Sequence, residues 1–338
     1  MRFAMLLSAC ALAAPALAES PGYSITHTYT LGGDGFWDYV VPDPPSHRVY
    51  VARQNRVMVV DEDSGKLVGE VTGINGAHGT AIVADTGHGF ATSSQDKSVV
   101  MFDLKSLKEL KRIPAAEDAD AIVYDPASKR VFSLNGDANS ATVIEPRAGA
   151  RVTEIELGGK PEYGQPAGDG KVYVNLVDKS EIVEIDAAAA KVTRRWSTES
   201  CKQPVAMAID VAHARLFSGC RSGVLAVSDY KAGKIVATAP IGMGVDGAGY
   251  DAATGDVFTA NGEGTLTVIH EDSPDRYTVV QNLATSPGSR NMGLDPITHR
   301  IFVVTAKFGA PPAGAPPGRR GAVVPDSFGL FVIQRSGS

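Results

Sequence analysis

The chain has 338 residues, 43% of them apolar and 21% charged, and its 32 Lys and Arg against 38 Asp and Glu give a formal charge of −6. That balance excludes a disordered chain and a long coiled coil, and its sign excludes the broad positive field that nucleic acid or anionic lipid would need. The 36 glycines and 20 prolines follow no collagen period and point to many tight turns.

In chain order, residues 1–18 come first and read MRFAMLLSACALAAPALA. Arg2 supplies a positive start, residues 3–14 an apolar stretch, and Ala16-Leu17-Ala18 a small-x-small cleavage site. The apolar run is shorter than the 18 or so residues needed to cross a bilayer. The expectation is a cleaved secretory signal, with a periplasmic or secreted mature chain from Glu19. A rival lies within it, since Leu7-Ser8-Ala9-Cys10 resembles a lipoprotein box in which Cys10 would be lipidated; the segment before Cys10 is very short for that. Cleavage leaves 31 basic against 38 acidic residues, a charge of −7, and two cysteines. An even pair in an exported chain predicts a disulfide between Cys201 and Cys220.

A repeat organises the rest. Residues 121–157 contain an apolar strand, an Asp-Pro turn, a second strand, an Asn-Gly loop, a third strand, a turn and a fourth strand. The same order recurs from Val40 and from Met207. An Asp closes each first strand, at Asp43, Asp85, Asp125, Asp169, Asp210, Asp251 and Asp295, at intervals of 42, 40, 44, 41, 41 and 44 residues. Seven copies of four short strands predict an all-β, seven-bladed β-propeller with four antiparallel strands per blade, forming a single domain over residues 19–338. Only three strands, at about 291–294, 301–305 and 330–334, complete the last copy. The segment at 23–31 is therefore expected to be its fourth strand and to close the ring. A closed ring leaves no sheet edge that demands a partner, so a monomer is expected.

The recurring pieces D-P-x-x-x-R-V-Y/F-V, V-x-V-I/V-D and T/S-G-K-x-V resemble the YVTN-type, YncE-like β-propeller repeat family of exported bacterial proteins. The resemblance covers essentially the whole mature chain. It implies the propeller fold and binding roles of several kinds, among them cell-surface structure, DNA binding and partnership with redox enzymes; a fold of this kind does not by itself assign a function.

In a propeller the connections before each first strand and after each second strand meet on one face. Cys201 and Cys220 should meet there, closing a loop of about 20 residues worth roughly 3 kcal/mol. The same rim is expected to collect Trp37, Asp38, His78, Asp118, Asp120, Glu162, Asp246 and Arg290, all but Trp37 read five or seven residues back from the marker Asp. Carboxylates from separate blades with one His and one Arg suit a divalent metal, with Asp38, His78, Asp120, Glu162 and Asp246 as candidate ligands, or a cationic ligand, or a general acid and base pair. They also suit a structural role, capping strand starts and solvating a water-filled channel. Asn135, Asn139, Asn175, Arg221, Asn261, Glu263 and Lys307 should lie on that side too, Asn135 and Asn261 as turn residues. Between the second and third strands of blade seven, the Pro-rich stretch at 308–326, with Arg319 and Arg320, should fold over this rim as a partial lid or docking arm.

Three motif matches fail in context. Gly242-x-Gly244-x-x-Gly247 precedes strands rather than the helix a dinucleotide site needs. Trp37-Asp38 opens a first strand and does not recur, and the calcium-loop look of residues 61–65 lacks a Glu at its twelfth position, which is Thr72. No hydrolase, Walker or haem motif is present. The leading expectation is a non-enzymatic scaffold recognising an unidentified ligand or periplasmic protein partner through the channel-mouth face. The alternatives are a metal-dependent hydrolase or lactonase using the acidic ring and His78, and single-stranded DNA binding, against which the acidic charge argues.

Overall fold

The computed structural model describes residues 22–316 and 320–336. The expected signal segment, Cys10 and Arg319 lie outside them. The described residues form seven four-stranded antiparallel sheets and no α-helix. Six blades run in chain order from the centre outward, beginning with the innermost strands Trp37–Asp43, Thr80–Val83, Ala119–Asp125, Pro161–Pro166, Pro204–Asp210 and Val245–Asp251. Each innermost strand packs against the next, and Met292–Leu294 of blade seven packs against both Val245–Asp251 and Trp37–Asp43, so the ring closes.

Closure uses the N-terminal strand as the sequence implies. Tyr23–Thr30 is the outermost strand of blade seven and runs antiparallel to Gly329–Arg335. It also reaches both neighbouring blades. Gln281 of blade six brackets the backbone of Tyr23 at 2.7 and 2.8 Å, the Tyr23 hydroxyl donates to Asp256 at 2.8 Å, and the Tyr29 hydroxyl donates to the carbonyls of Glu62 and Asp63 in blade one.

Alternation explains the core. The third residue of six second strands (Tyr50, Phe90, Phe132, Tyr173, Phe217 and Phe258) and the second of Ile301–Thr305 (Phe302) are aromatic, and each ring is buried. Each such ring contributes on the order of 1.5–3 kcal/mol by leaving water. Most of the marker aspartates serve the opposite face. Asp125, Asp210, Asp251 and Asp295 are buried and accept backbone N–H bonds from the turns that follow them, at 2.6–3.0 Å. That is the Asx-turn chemistry that makes Asp the punctuation of the repeat. Asp61 is likewise a turn cap, accepting from the Ser64 N–H at 2.8 Å.

Cys201 and Cys220 form a disulfide with their Cα atoms 5.4 Å apart, buried beside Ala226. Residues 308–316 and 320–326 come together through the Phe308–Val323 bridge on the channel-mouth face, where Arg320 donates to the Gly262 carbonyl at 3.0 Å. No helix among the described residues is long and apolar enough to cross a membrane.

Candidate channel-mouth site

Strand pairing supplies a register that the marker Asp only approximates. Asp43, Val83, Asp125, Asp210 and Asp251 each pair with the first residue of their second strand. Ala167 and Asp295 donate their N–H to the corresponding residues Lys171 and Arg300. Asp85 and Asp169 therefore sit two residues beyond that position, in the turns. Five residues before the true position stand Asp38, His78, Asp120, Glu162, Val205, Asp246 and Arg290. One tier of the ring thus contains six of the expected residues, and only blade five, with Val205, presents an apolar side chain.

Asp118 and Trp37 fall outside this tier. Asp118 pairs with Lys160 at 3.3 Å, and Lys160 also reaches Asp137 at 2.8 Å, so it belongs to a surface ion-pair group between blades three and four. Trp37 turns toward blade seven, its ring 5.2 Å from Phe328 and 6.2 Å from Phe308. The second set of polar residues is mostly structural. Asn135 and Asn261 bond hydroxyls of their own blades, and Asn175 ties its blade to Ala206. Asn139 occupies a turn at φ 54°, Glu263 accepts from the Met243 N–H, and the Lys307 backbone bonds Ser327. Arg221 alone joins the tier, pairing with Glu162 at 3.2 Å.

Within the tier, His78 Nδ1 lies 2.6 Å from Asp38 Oδ2 and 3.4 Å from Asp120 Oδ1. Asp38, His78 and Asp120 each offer a ligand atom within 4.8 Å of the others. The buried Asn291 donates to Asp38 Oδ1 at 3.0 Å and Asp246 Oδ2 at 3.3 Å, and Arg290 Nε meets Asp246 Oδ2 at 3.0 Å. Two oxygens here are buried without a hydrogen-bond partner, Asp120 Oδ1 and Asn291 Oδ1. Sequence reasoning missed Asn291, which lies one residue past the tier and resembles a strand-start cap.

Electrostatics follow from burying acids together. Burial, reinforced by Asp38, raises Asp120 well above the ordinary carboxylate range despite the opposing pull of His78. Burial pushes Glu162 up to about 7 against Arg221, and Asp246 up to about 6 against Arg290. For His78, burial disfavours the imidazolium, but the Asp38 hydrogen bond and the charges of Asp120, Asp38 and Asp118 outweigh it and lift the ring to about 9. At neutral pH His78 therefore holds a proton that a cation bound by its ring would displace.

Below the tier, cavities of about 310 and 300 Å3 lie between the innermost strands, with Tyr163 and Gln165 lining both. The rings of Tyr39 and Tyr163, from blades one and four, meet edge to face at 5.1 Å, and the Tyr39 hydroxyl donates to the Glu162 carbonyl at 2.9 Å. Two carboxylates and an imidazole from adjacent blades suit a borderline divalent ion such as Zn2+ or Mn2+, and the wider ring of acids suits an ammonium group. No protein-family model matches the chain, and no curated protein matches it.

Proposed function

We propose that this protein is an exported binding propeller of the YVTN type whose channel mouth receives a positively charged ligand group, without chemical turnover. The observation that carries this reading is the convergence of Asp38, Asp120, Glu162 and Asp246 from four blades on one tier, with Asp120 Oδ1 left without a donor. Burying four acids together is unfavourable unless protons or a cation compensate them. In the free protein His78 compensates Asp38 and Asp120, while Arg221 and Arg290 offset part of the charge of Glu162 and Asp246. A divalent cation bound by Asp38, Asp120 and His78, or an organic ammonium seated among the acids, would supply it in the complex.

The test is calorimetry on protein prepared without chelator, titrated with Zn2+, Mn2+ and Ca2+ and separately with a diamine such as putrescine, beside elemental analysis of the purified protein. Binding of a member of either group is expected to release protons. Affinity should thus rise with pH between about 6 and 9, by up to about tenfold per pH unit for each proton displaced. Asp120→Asn should weaken binding and reduce the proton release. If no cation binds, or if affinity is independent of pH, the mouth is a structural polar ring. Saturation by the metal ions alone, or by the diamine alone, decides which cation the site takes.

A further inference from the structure

Phe308 and residues 320–325 build a cavity beside the mouth, of about 380 Å3, against the loop that enters blade one. Its walls are the rings of Phe36, Trp37 and Phe308 with Pro325, and two guanidiniums, Arg290 and Arg320, line it. The two cations are unequal. Arg290 is pinned at its Nε by Asp246. Arg320 lies 5.2 Å over the Phe308 ring, donates to the Gly262 carbonyl, and has no carboxylate partner among the described residues. The one acid in the wall, Asp34, sits exposed at its edge. Part-burial and the nearby charge of Arg290 both make the Arg320 cation costly.

The entry loop is itself held open. Arg53 is fully buried, stacked 3.6 Å over Phe328, and donates to the carbonyls of Gly32, Gly33, Asp34, Gly35 and Phe36. Gly288, at φ +96°, leaves the other wall clear, since a Cβ there would lie 2.4 Å from Arg320 Nη1 and 2.8 Å from the Phe308 ring. Preorganised aromatic walls around an unpaired guanidinium are the elements of recognition for a flat anion.

We propose that this cavity is a binding site for an aromatic carboxylate, its ring against Phe36, Trp37 and Phe308 and its carboxylate on Arg320 with Arg290 beside it. None of the mouth carboxylates lines it, and Arg290, held by Asp246, is the one tier residue that it shares with the mouth. It is absent from the repeat pattern of the other blades, because the insertion that builds it occurs only in blade seven.

The experiment is calorimetric titration of the whole protein with naphthoate and, as the neutral isostere, naphthamide. Naphthoate is expected to bind saturably at submillimolar concentration, and naphthamide about tenfold or more weaker. Arg320→Gln should lose about tenfold for naphthoate while leaving naphthamide unchanged. Phe36→Ala should weaken both, and thermal melts of both variants should match the unmutated protein. Equal binding of acid and amide overturns the proposal. So does an R320Q variant that binds naphthoate normally, or the absence of binding by either probe up to millimolar concentration.

Discussion

Arg53 and Glu62 are both fully buried charged residues, yet they have opposite surroundings. Arg53 satisfies its guanidinium with five backbone carbonyls and an aromatic face, and burial lowers it only to about 10, so it stays charged. Arg53→Met would leave those carbonyls without donors and is expected to cost about 2–4 kcal/mol. An unchanged urea midpoint would remove Arg53 from this role. Glu62 has both carboxyl oxygens without a hydrogen-bond partner, and burial followed by the charge of Asp295 lifts it from its ordinary value of 4.5 to about 7. Arg300 at 3.6 Å and His47 at 3.7 Å pull the other way. The folded state therefore binds this proton more tightly than the unfolded chain does. The contribution of Glu62 is most favourable below about pH 4.5 and is lost as pH rises to about 7. Glu62→Gln should accordingly gain stability over the unmutated protein between pH 5 and 8, by up to about 3 kcal/mol. Denaturation curves at the two pH values check this, and a constant difference between the proteins would refute it.

Among the strands, the buried aromatic of each second strand does the packing, while outer strands such as Ala150–Glu156 are largely exposed. Phe132→Ala is expected to cost about 3–5 kcal/mol, whereas Val152→Ala on the exposed outer strand should stay within about 0.5 kcal/mol. Comparable losses in the two variants would mean the blade interfaces are not the main core. The repeat made these strands readable, because apolar alternation and Asx turns are local properties. It misplaced two of the seven registers. Asp85 and Asp169 resemble the other marker aspartates in sequence but lie two residues into their turns, and only the pairing of Val83 with His88 and of Ala167 with Lys171 reveals it. The correct count would have placed His78 and Glu162 in the same tier as Asp38, and Asp118 outside it.

For the whole molecule, the closing strand is the exposed point of the architecture, because Gly329–Arg335 would be a bare sheet edge without it. A chain starting after Thr30 is expected to melt earlier and to self-associate, as seen by light scattering on a sizing column. A truncated chain that stays monomeric with an unaltered melt would show the ring to be closed by its inner strands alone.

The amino-acid sequence by itself determined seven blades, the strand that completes the last of them, the paired cysteines and the face on which polar residues gather. Each of these follows from patterns spanning a few dozen residues at most, or from counting copies. The tertiary structure decided which side chains meet. The contact of His78 with Asp38 and near Asp120 joins three blades, the Tyr39–Tyr163 ring contact joins two blades across the channel, and the cavity between the blade-seven insertion and the Arg53-held loop joins opposite ends of the chain. The physical reason is that a repeat encodes each blade alone, while the distances between residues of different blades are set by how seven twisted sheets pack into a closed ring.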